Sequence, residues 1–312
     1  MVQHEHFRDF DEFAESVRGI DARMMFQNPT DRSWEIDGLR LADLQMQVGR
    51  LGSGNIAEGV SSRDTYMLYL PLTDECEYVV NGVTIPKYGF MVMEPGCEFC
   101  VSTKYEHDWC NIVIPSDMLP LLPDDEEAPE KMTCRVTRPD RQLAERFLRL
   151  VRGPLATAMK HPEFESSPAA ARAAADLVEV GAVVLAGPDA VPRRATLRPR
   201  VPRQTVVRRA LEVLEERDRQ HIAVPELAGL VGVSERTLRR AFNEYYGIGP
   251  VGYLQLRKLH QVHHVLKAAE FEETTVASVL FQHGVWELGR FASRYRQQFG
   301  ELPSETLRAK RR

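Results

Sequence analysis

No stretch of this chain is apolar for long enough to cross a membrane. The longest such run, VGAVVLAG at 180–187, is far short of the roughly 20 residues that a spanning helix needs. A secretory leader is not legible either, because the start, MVQHEHFRDFDEF, is acidic and polar. Cysteine is scarce and odd in number, five among 312 residues, which speaks against a disulfide framework and for reduced thiols. A glycine-rich nucleotide loop and a G-x-S-x-G elbow are also missing. These absences lead to the expectation of a soluble, cytoplasmic protein that does no chemistry of its own and needs no cofactor.

What is present is a lopsided charge. The whole chain carries a net −5, but from Arg193 onward there are 22 Lys and Arg against 13 Asp and Glu. The first 192 residues hold 18 basic and 32 acidic side chains. An acidic front half joined to a basic back half is the expected footprint of a nucleic-acid-binding domain carried by a non-binding one.

Periodicity changes along with charge. Residues 33–118 read as short strands punctuated by Gly and Pro, among them TYMLYLPL and the pair CEYVV and VTI around Asn81-Gly82, a strong hairpin signal. Many short strands at close spacing suggest a sandwich or barrel. Helical spacing begins at 141–151 and 169–187. GPDAVPRRATLRPRVPRQ at 187–204 is rich in Pro and Arg and reads as a linker. After it everything is helical. The expected domains are therefore 1–192, a linker at 193–204, and 205–312, in an α+β multidomain chain with an all-α end.

The helical end contains a repeat. LRRAFNEYYGIGP and FASRYRQQFGELP align with Leu238 on Phe291, Phe242 on Tyr295, Tyr246 on Phe299, Gly247 on Gly300 and Pro250 on Pro303. Upstream, Gly232 aligns with Gly284, so the second turn is one residue longer. At 100° per residue, Leu238, Ala241, Phe242 and Tyr245 share one face of the first repeat's helix, and Arg236, Arg239, Arg240 and Asn243 the opposite one. The second repeat turns Leu288, Phe291, Tyr295 and Phe299 inward and Arg290, Ser293, Arg294 and Gln297 outward. Arginine matches guanine with two hydrogen bonds and asparagine matches adenine, so these faces suit the major groove of double-stranded DNA. An ordinary basic surface is the bland alternative for either helix alone, and a weaker one for the pair.

On VPELAGLVGVSERTLRRAFNEYYGIGPVGYLQLRKL and GVWELGRFASRYRQQFGELPSETLR, covering roughly 205–309, the sequence resembles the AraC/XylS family of bacterial transcription regulators. The resemblance implies two helix-turn-helix units held by a linking helix and set into successive major-groove segments. Carried over by motif position, it implies base contacts from Arg236, Arg239, Arg240, Arg290 and Ser293, and phosphate contacts from Ser234, Arg257 and Arg294. The second unit departs from the pattern at Leu280, Gln282, His283 and Val285; the bulk of Leu280 would either separate its two helices or be absorbed by repacking. The resemblance also implies a cupin-like β-barrel in front, with dimerisation helices, and an activator whose homodimer answers to a small organic effector and works with RNA polymerase. The rival readings are a cupin-type enzyme tethered to DNA and a ligand-independent architectural protein.

Metal-using cupins supply a G-x5-H-x-H cluster, and this sequence has none. One constellation, Cys97-x2-Cys100-x6-His107-x2-Cys110, has ligand spacing for zinc or iron and thiols for oxidant sensing. Burial of reduced cysteines as small hydrophobes is the preferred reading, so no metal is expected. His260, His263 and His264 are expected to form a solvent-facing or DNA-facing cluster. Effector contacts are expected from Tyr66, Tyr69, Tyr78, Phe99, Trp109 and Cys110, since aromatic walls suit small organic ligands. Plain core packing is the alternative for each.

Overall fold

In the computed structural model, residues 3–119, 133–188, 203–216, 222–270 and 272–309 are described. They fall into two units, residues 1–195 and 196–312. Of the expected linker at 193–204, all but the last two residues lie outside the described ones, and those two begin a helix.

The first unit opens with β1 (Gln3–Phe7), α1 (Phe10–Ser16) and β2 (Ile20–Gln27), ahead of the residue 33 at which strands were expected. There follow β3 (Trp34–Leu41), β4 (Leu44–Leu51), β5 (Gly54–Ser61), β6 (Thr65–Pro71), β7 (Tyr78–Val80) and β8 (Val83–Thr84). The strands end with β9 (Phe90–Met93), β10 (Glu98–Thr103), β11 (His107–Pro115) and β12 (Cys134–Thr137). Asn81 and Gly82 turn β7 into β8 with φ of 49° and 80°, the left-handed pair that a two-residue hairpin needs.

The strands form two antiparallel sheets, ordered β1-β3-β4-β11-β6-β9-β12 and β2-β5-β10-β7-β8. This corrects the expected barrel. In a closed barrel every strand has two ladder neighbours, whereas among the described residues β1, β12, β2 and β8 each have one. The domain is an open two-sheet stack.

Helices α2 (Arg141–Lys160) and α3 (Pro168–Leu185) cover the seven-stranded sheet. Alternate residues explain the contact: Leu44, Met46 and Val48, Leu68 and Leu70, Phe90 and Val92, and Cys110, Ile112 and Ile114 share one core with both helices. Helix α2 continues past Pro154, where sequence spacing ended it near 151. Ala144, Phe147, Val151, Leu155 and Ala158 make one buried stripe along it, and that burial outweighs the hydrogen bond which proline forfeits. Opposite, α1 seals one end of the two-sheet stack with Phe10 and Phe13, set against Phe26 and Trp34.

In the second unit, α4 (Arg203–Glu216) precedes α5 (Val224–Val231) and α6 (Glu235–Tyr246). Then come α7 (Pro250–Ala268), α8 (Val276–Gln282), α9 (Leu288–Phe299) and α10 (Pro303–Ala309). No helix among the described residues is long and apolar enough to cross a membrane.

Candidate nucleic-acid interface

The turn between α5 and α6 is fixed from both sides. Gly232 ends α5 at φ 75°, and the Val233 amide donates to the Ala228 carbonyl at 3.0 Å, a left-handed C-terminal closure that glycine makes without strain. Ser234 then begins α6, its hydroxyl accepting from the Thr237 amide at 3.2 Å. Burial of Leu238, Ala241, Phe242, Tyr245 and Tyr246 anchors the helix, and Tyr246 stacks on Tyr253 of α7 with centroids 4.5 Å apart. The expected reading face is thereby turned to solvent: Ser234, Arg236, Arg239, Arg240 and Asn243 are all exposed.

Those side chains differ in how they are held. Glu244 engages Arg240 at 2.9 Å and also pairs with Arg203 of α4. Glu235 lies 3.6 Å from Arg239, and Asn243 donates to the Arg239 carbonyl at 2.9 Å. Arg236 makes no ion pair among the described residues.

The second helix-turn-helix repeats the plan with altered parts. Thr275 and Ser278 cap α8 reciprocally, and Gly284 at φ 68° makes the turn. Leu280 is absorbed by repacking, sharing a core with Val279, Val285, Phe291 and Tyr295. Its carbonyl accepts from the Val285 amide at 2.9 Å. Helix α9 turns Arg290, Ser293 and Gln297 outward and leaves Arg294 half-buried. Glu287 restrains Arg290 at 3.3 Å.

Two expected surface features are not at the surface. Arg257, expected on phosphate, is 4% exposed and donates to the Leu214 carbonyl at 3.3 Å, joining α7 to the last turn of α4, where a cation suits the helix dipole. The histidine cluster is divided. His263 stacks on Phe299 with centroids 4.1 Å apart and meets the Tyr295 hydroxyl at 2.7 Å. His260 packs edge-on against Phe299, and only His264 is exposed. The aromatic C-terminal half of α9 supplies a better partner than water for two of the three rings.

Sequence reasoning missed two residues. Trp286, in the turn before α9, is 74% exposed and stacks on Phe281 at 5.1 Å. Lys258, half-buried on α7, has its ammonium pKa lowered by burial. Both line a cavity of about 550 Å³, together with Leu254, Arg290 and Arg294. A tryptophan two residues past the turn glycine was the available signal for Trp286; for Lys258 there was none, since its exposure depends on how α9 packs.

In the first unit, sheet parity sorts the expected effector contacts. Tyr69 stacks on Trp109 at 5.9 Å and meets Tyr78 edge-on at 6.3 Å, between the sheets. The Tyr78 hydroxyl donates to the Asp108 carbonyl at 2.6 Å, and burial raises its pKa far above the usual value. Phe99 shares the inner face of β10 with Thr103, which pairs with Tyr78. Tyr66 and Cys110 lie on the other face, against the helices. His107 is buried between the sheets, its Nδ1 3.0 Å from the Tyr105 carbonyl and 3.1 Å from that of Ser53. Desolvation lowers its pKa to about 4. Cys97, Cys100, His107 and Cys110 are thus dispersed over a turn and two opposite sheet faces.

Two arginine-bearing helices, each following a glycine turn and joined through one long helix, define a double helix-turn-helix protein. Residues 227–309 match the model described as a helix-turn-helix domain. The chain is 35% identical over 100 residues to the XylDLEGF operon transcriptional activator of Pseudomonas putida, which covers 32% of this chain and 31% of that one. It is 31% identical over 170 residues to a probable thc operon regulatory protein of Rhodococcus erythropolis, 54% of this chain and 50% of that one. A solved structure of a probable AraC family transcriptional regulator from Rhodopseudomonas palustris is 34% identical over 33% of this chain and 95% of its own, with a TM-score of 0.30. Through its helical end the chain is similar to transcription regulators of the AraC/XylS type. It spans about a third of the length of that Pseudomonas putida activator.

Proposed function

We propose that the protein is a sequence-specific DNA-binding transcription regulator, an activator whose first unit senses a small organic molecule. The observation that carries this is the pair of exposed faces on α6 and α9, with Arg236, Arg239, Arg240 and Asn243 on one and Arg290, Ser293 and Gln297 on the other. Each follows a turn that ends a short helix. Arg236 and Arg239 read bases, while Arg240, shared with Glu244, and the half-buried Lys258 and Arg294 position the phosphate backbone. Trp286 adds an apolar contact to a sugar or a thymine methyl beside Arg290.

For the effector, the aromatic group Tyr69, Tyr78 and Trp109 between the sheets is the favoured wall. Tyr66 and Cys110 are withdrawn from that role because they face the helices. Self-association through α2 and α3 is supported by Met159 and Val183, large apolar side chains left exposed there. Work with RNA polymerase follows only from the reading as an activator.

Selection of bound DNA from a random library tests the reading at its base. A recovered motif that Arg239→Ala degrades at specific positions supports it. Equal losses on selected and random DNA would make Arg239 a phosphate contact instead.

A further inference from the structure

Two cysteines distant in sequence meet at one end of the seven-stranded sheet. Cys134 opens β12, across the ladder from Met93, the last residue of β9. Beyond Met93 the chain turns through Glu94–Cys97, where the Cys97 amide donates to the Glu94 carbonyl at 3.3 Å and Gly96 takes a φ of 69°. The turn is tied to the start of β12. The Glu94 amide donates to the Thr133 carbonyl at 3.2 Å, and the Thr133 amide to the Glu94 carboxylate at 2.7 Å. This arrangement sets the turn that carries Cys97 against the start of β12, and the two thiols are electrostatically coupled there. Ser61 holds the other side of Cys97: it accepts the Cys97 amide at 3.0 Å, its hydroxyl donates to the Glu94 carbonyl at 2.6 Å, and its oxygen lies 3.5 Å from the sulfur.

Both thiols are free, Cys97 buried and Cys134 partly open to solvent. We propose that Cys97 and Cys134 form a reversible dithiol–disulfide pair, a modification site for a small hydroperoxide. The step balances as follows. The Cys97 thiolate attacks one peroxide oxygen, the O–O bond breaks, and an alcohol or water leaves once protonated. The resulting sulfenic acid is attacked by the Cys134 sulfur; the S–S bond forms, the S–O bond breaks, and hydroxide leaves as water with the Cys134 proton. Two thiols lose two electrons, and the hydroperoxide gains them.

The surroundings separate this pair from the other cysteines. Hydrogen bonding from Cys134 lowers the Cys97 pKa, and the same contact with burial raises that of Cys134, which makes Cys97 the attacking thiolate. Burial raises Cys100 and Cys110, which behave as hydrophobes. The bridge also bears on a helix. Arg135, next to Cys134, donates to the Gly187 carbonyl at 2.7 Å and to the Leu185 carbonyl at the end of α3. A bond at Cys134 fixes the strand that holds this last turn.

The test treats the reduced full-length chain with stoichiometric hydrogen peroxide, blocks remaining thiols with N-ethylmaleimide and maps the peptides by mass spectrometry. The expected product is a Cys97–Cys134 linked peptide that disappears with dithiothreitol. Cys134→Ser should leave Cys97 trapped by dimedone as a sulfenic acid, and Cys110→Ser should leave the bridge intact. A bridge to a different cysteine, or both thiols alkylated while others oxidise, would overturn the proposal; the wild-type map alone decides this, whatever the variants do to folding. Amide exchange in residues 182–187 should slow when the bridge forms, and unchanged exchange would overturn the link to α3.

Discussion

Arg236 and Arg240 lie four residues apart on α6, both exposed, yet Glu244 already engages one of them. An exposed i,i+4 pair is worth only about 0.3–0.5 kcal/mol, so DNA can displace Glu244, but the pair biases Arg240 away from the base edges. Arg236→Ala or Arg239→Ala should cost about 1–3 kcal/mol at the preferred site and relax base preference there. Arg240→Ala should weaken binding more evenly across sequences. Fluorescence anisotropy on selected and scrambled duplexes distinguishes the two patterns. Trp286 offers an independent check. Trp34 and Trp109 are buried in the first unit, so emission from exposed tryptophan reports on Trp286. DNA should quench that component, and Trp286→Phe should abolish the change; emission unaffected by saturating DNA removes Trp286 from the interface.

His107 gives a pH signature at the same scale. Its folded pKa of about 4 lies below the unfolded 6.5, so the unfolded chain binds the extra proton between them. The stabilisation is present above pH 6.5 and is lost as pH falls toward 4, by about 3 kcal/mol at most. Urea midpoints of the wild type should fall more steeply over this window than those of His107→Gln; parallel profiles would show that the buried ring does not titrate as described. Residue identity was the less legible part of the site. The outward arginines followed from 100° spacing, but the burial of Arg257 depends on where α4 ends, and the Cys97–Cys134 contact on a turn and a ladder 37 residues apart.

Among the elements, those closed by local signals were legible. Asn81-Gly82 forms the hairpin its residue types favour, and Ser234, Gly232 and Gly247 bound the helices of the first helix-turn-helix as capping preferences require. Ser234→Ala should destabilise the second unit by about 1 kcal/mol through a lost N-cap. Gly247→Ala should do so by a similar amount, about 1 kcal/mol, from its φ of 69° alone, since no atom lies within 4 Å of an added Cβ. Gly49 on β4 is different: a Cβ there would stand 2.3 Å from the Trp109 ring. Gly49→Ala should therefore displace Trp109 and lower the thermal midpoint of the first unit, with a cost of about 1–3 kcal/mol from overpacking. Sheet closure and strand parity were not legible. Whether β1 meets β12 is decided by pairings across more than a hundred residues, and a one-residue slip exchanges Tyr66 with Tyr69 between faces.

For the molecule as a whole, composition was the better guide. The surplus of basic over acidic side chains begins at Arg193, within two residues of the boundary between the compact units. On the proposed function, phosphate attraction from that basic half would give any DNA a salt-dependent affinity, and only base contacts would add sequence preference to it. Lys258→Ala should reduce the salt slope of binding by about 1 without changing the preferred sequence. Small aromatic ligands that bind between the sheets should raise the first unit's thermal midpoint in wild type more than in Trp109→Leu. The most direct test of sequence-specific recognition by two units is selection of DNA from a random library by the full-length protein at ~150 mM salt. The expected result is a motif with two half-elements about one helical turn apart, with Arg236→Ala and Arg290→Ala each degrading a different half. Salt-sensitive retention of DNA with no shared motif would contradict it.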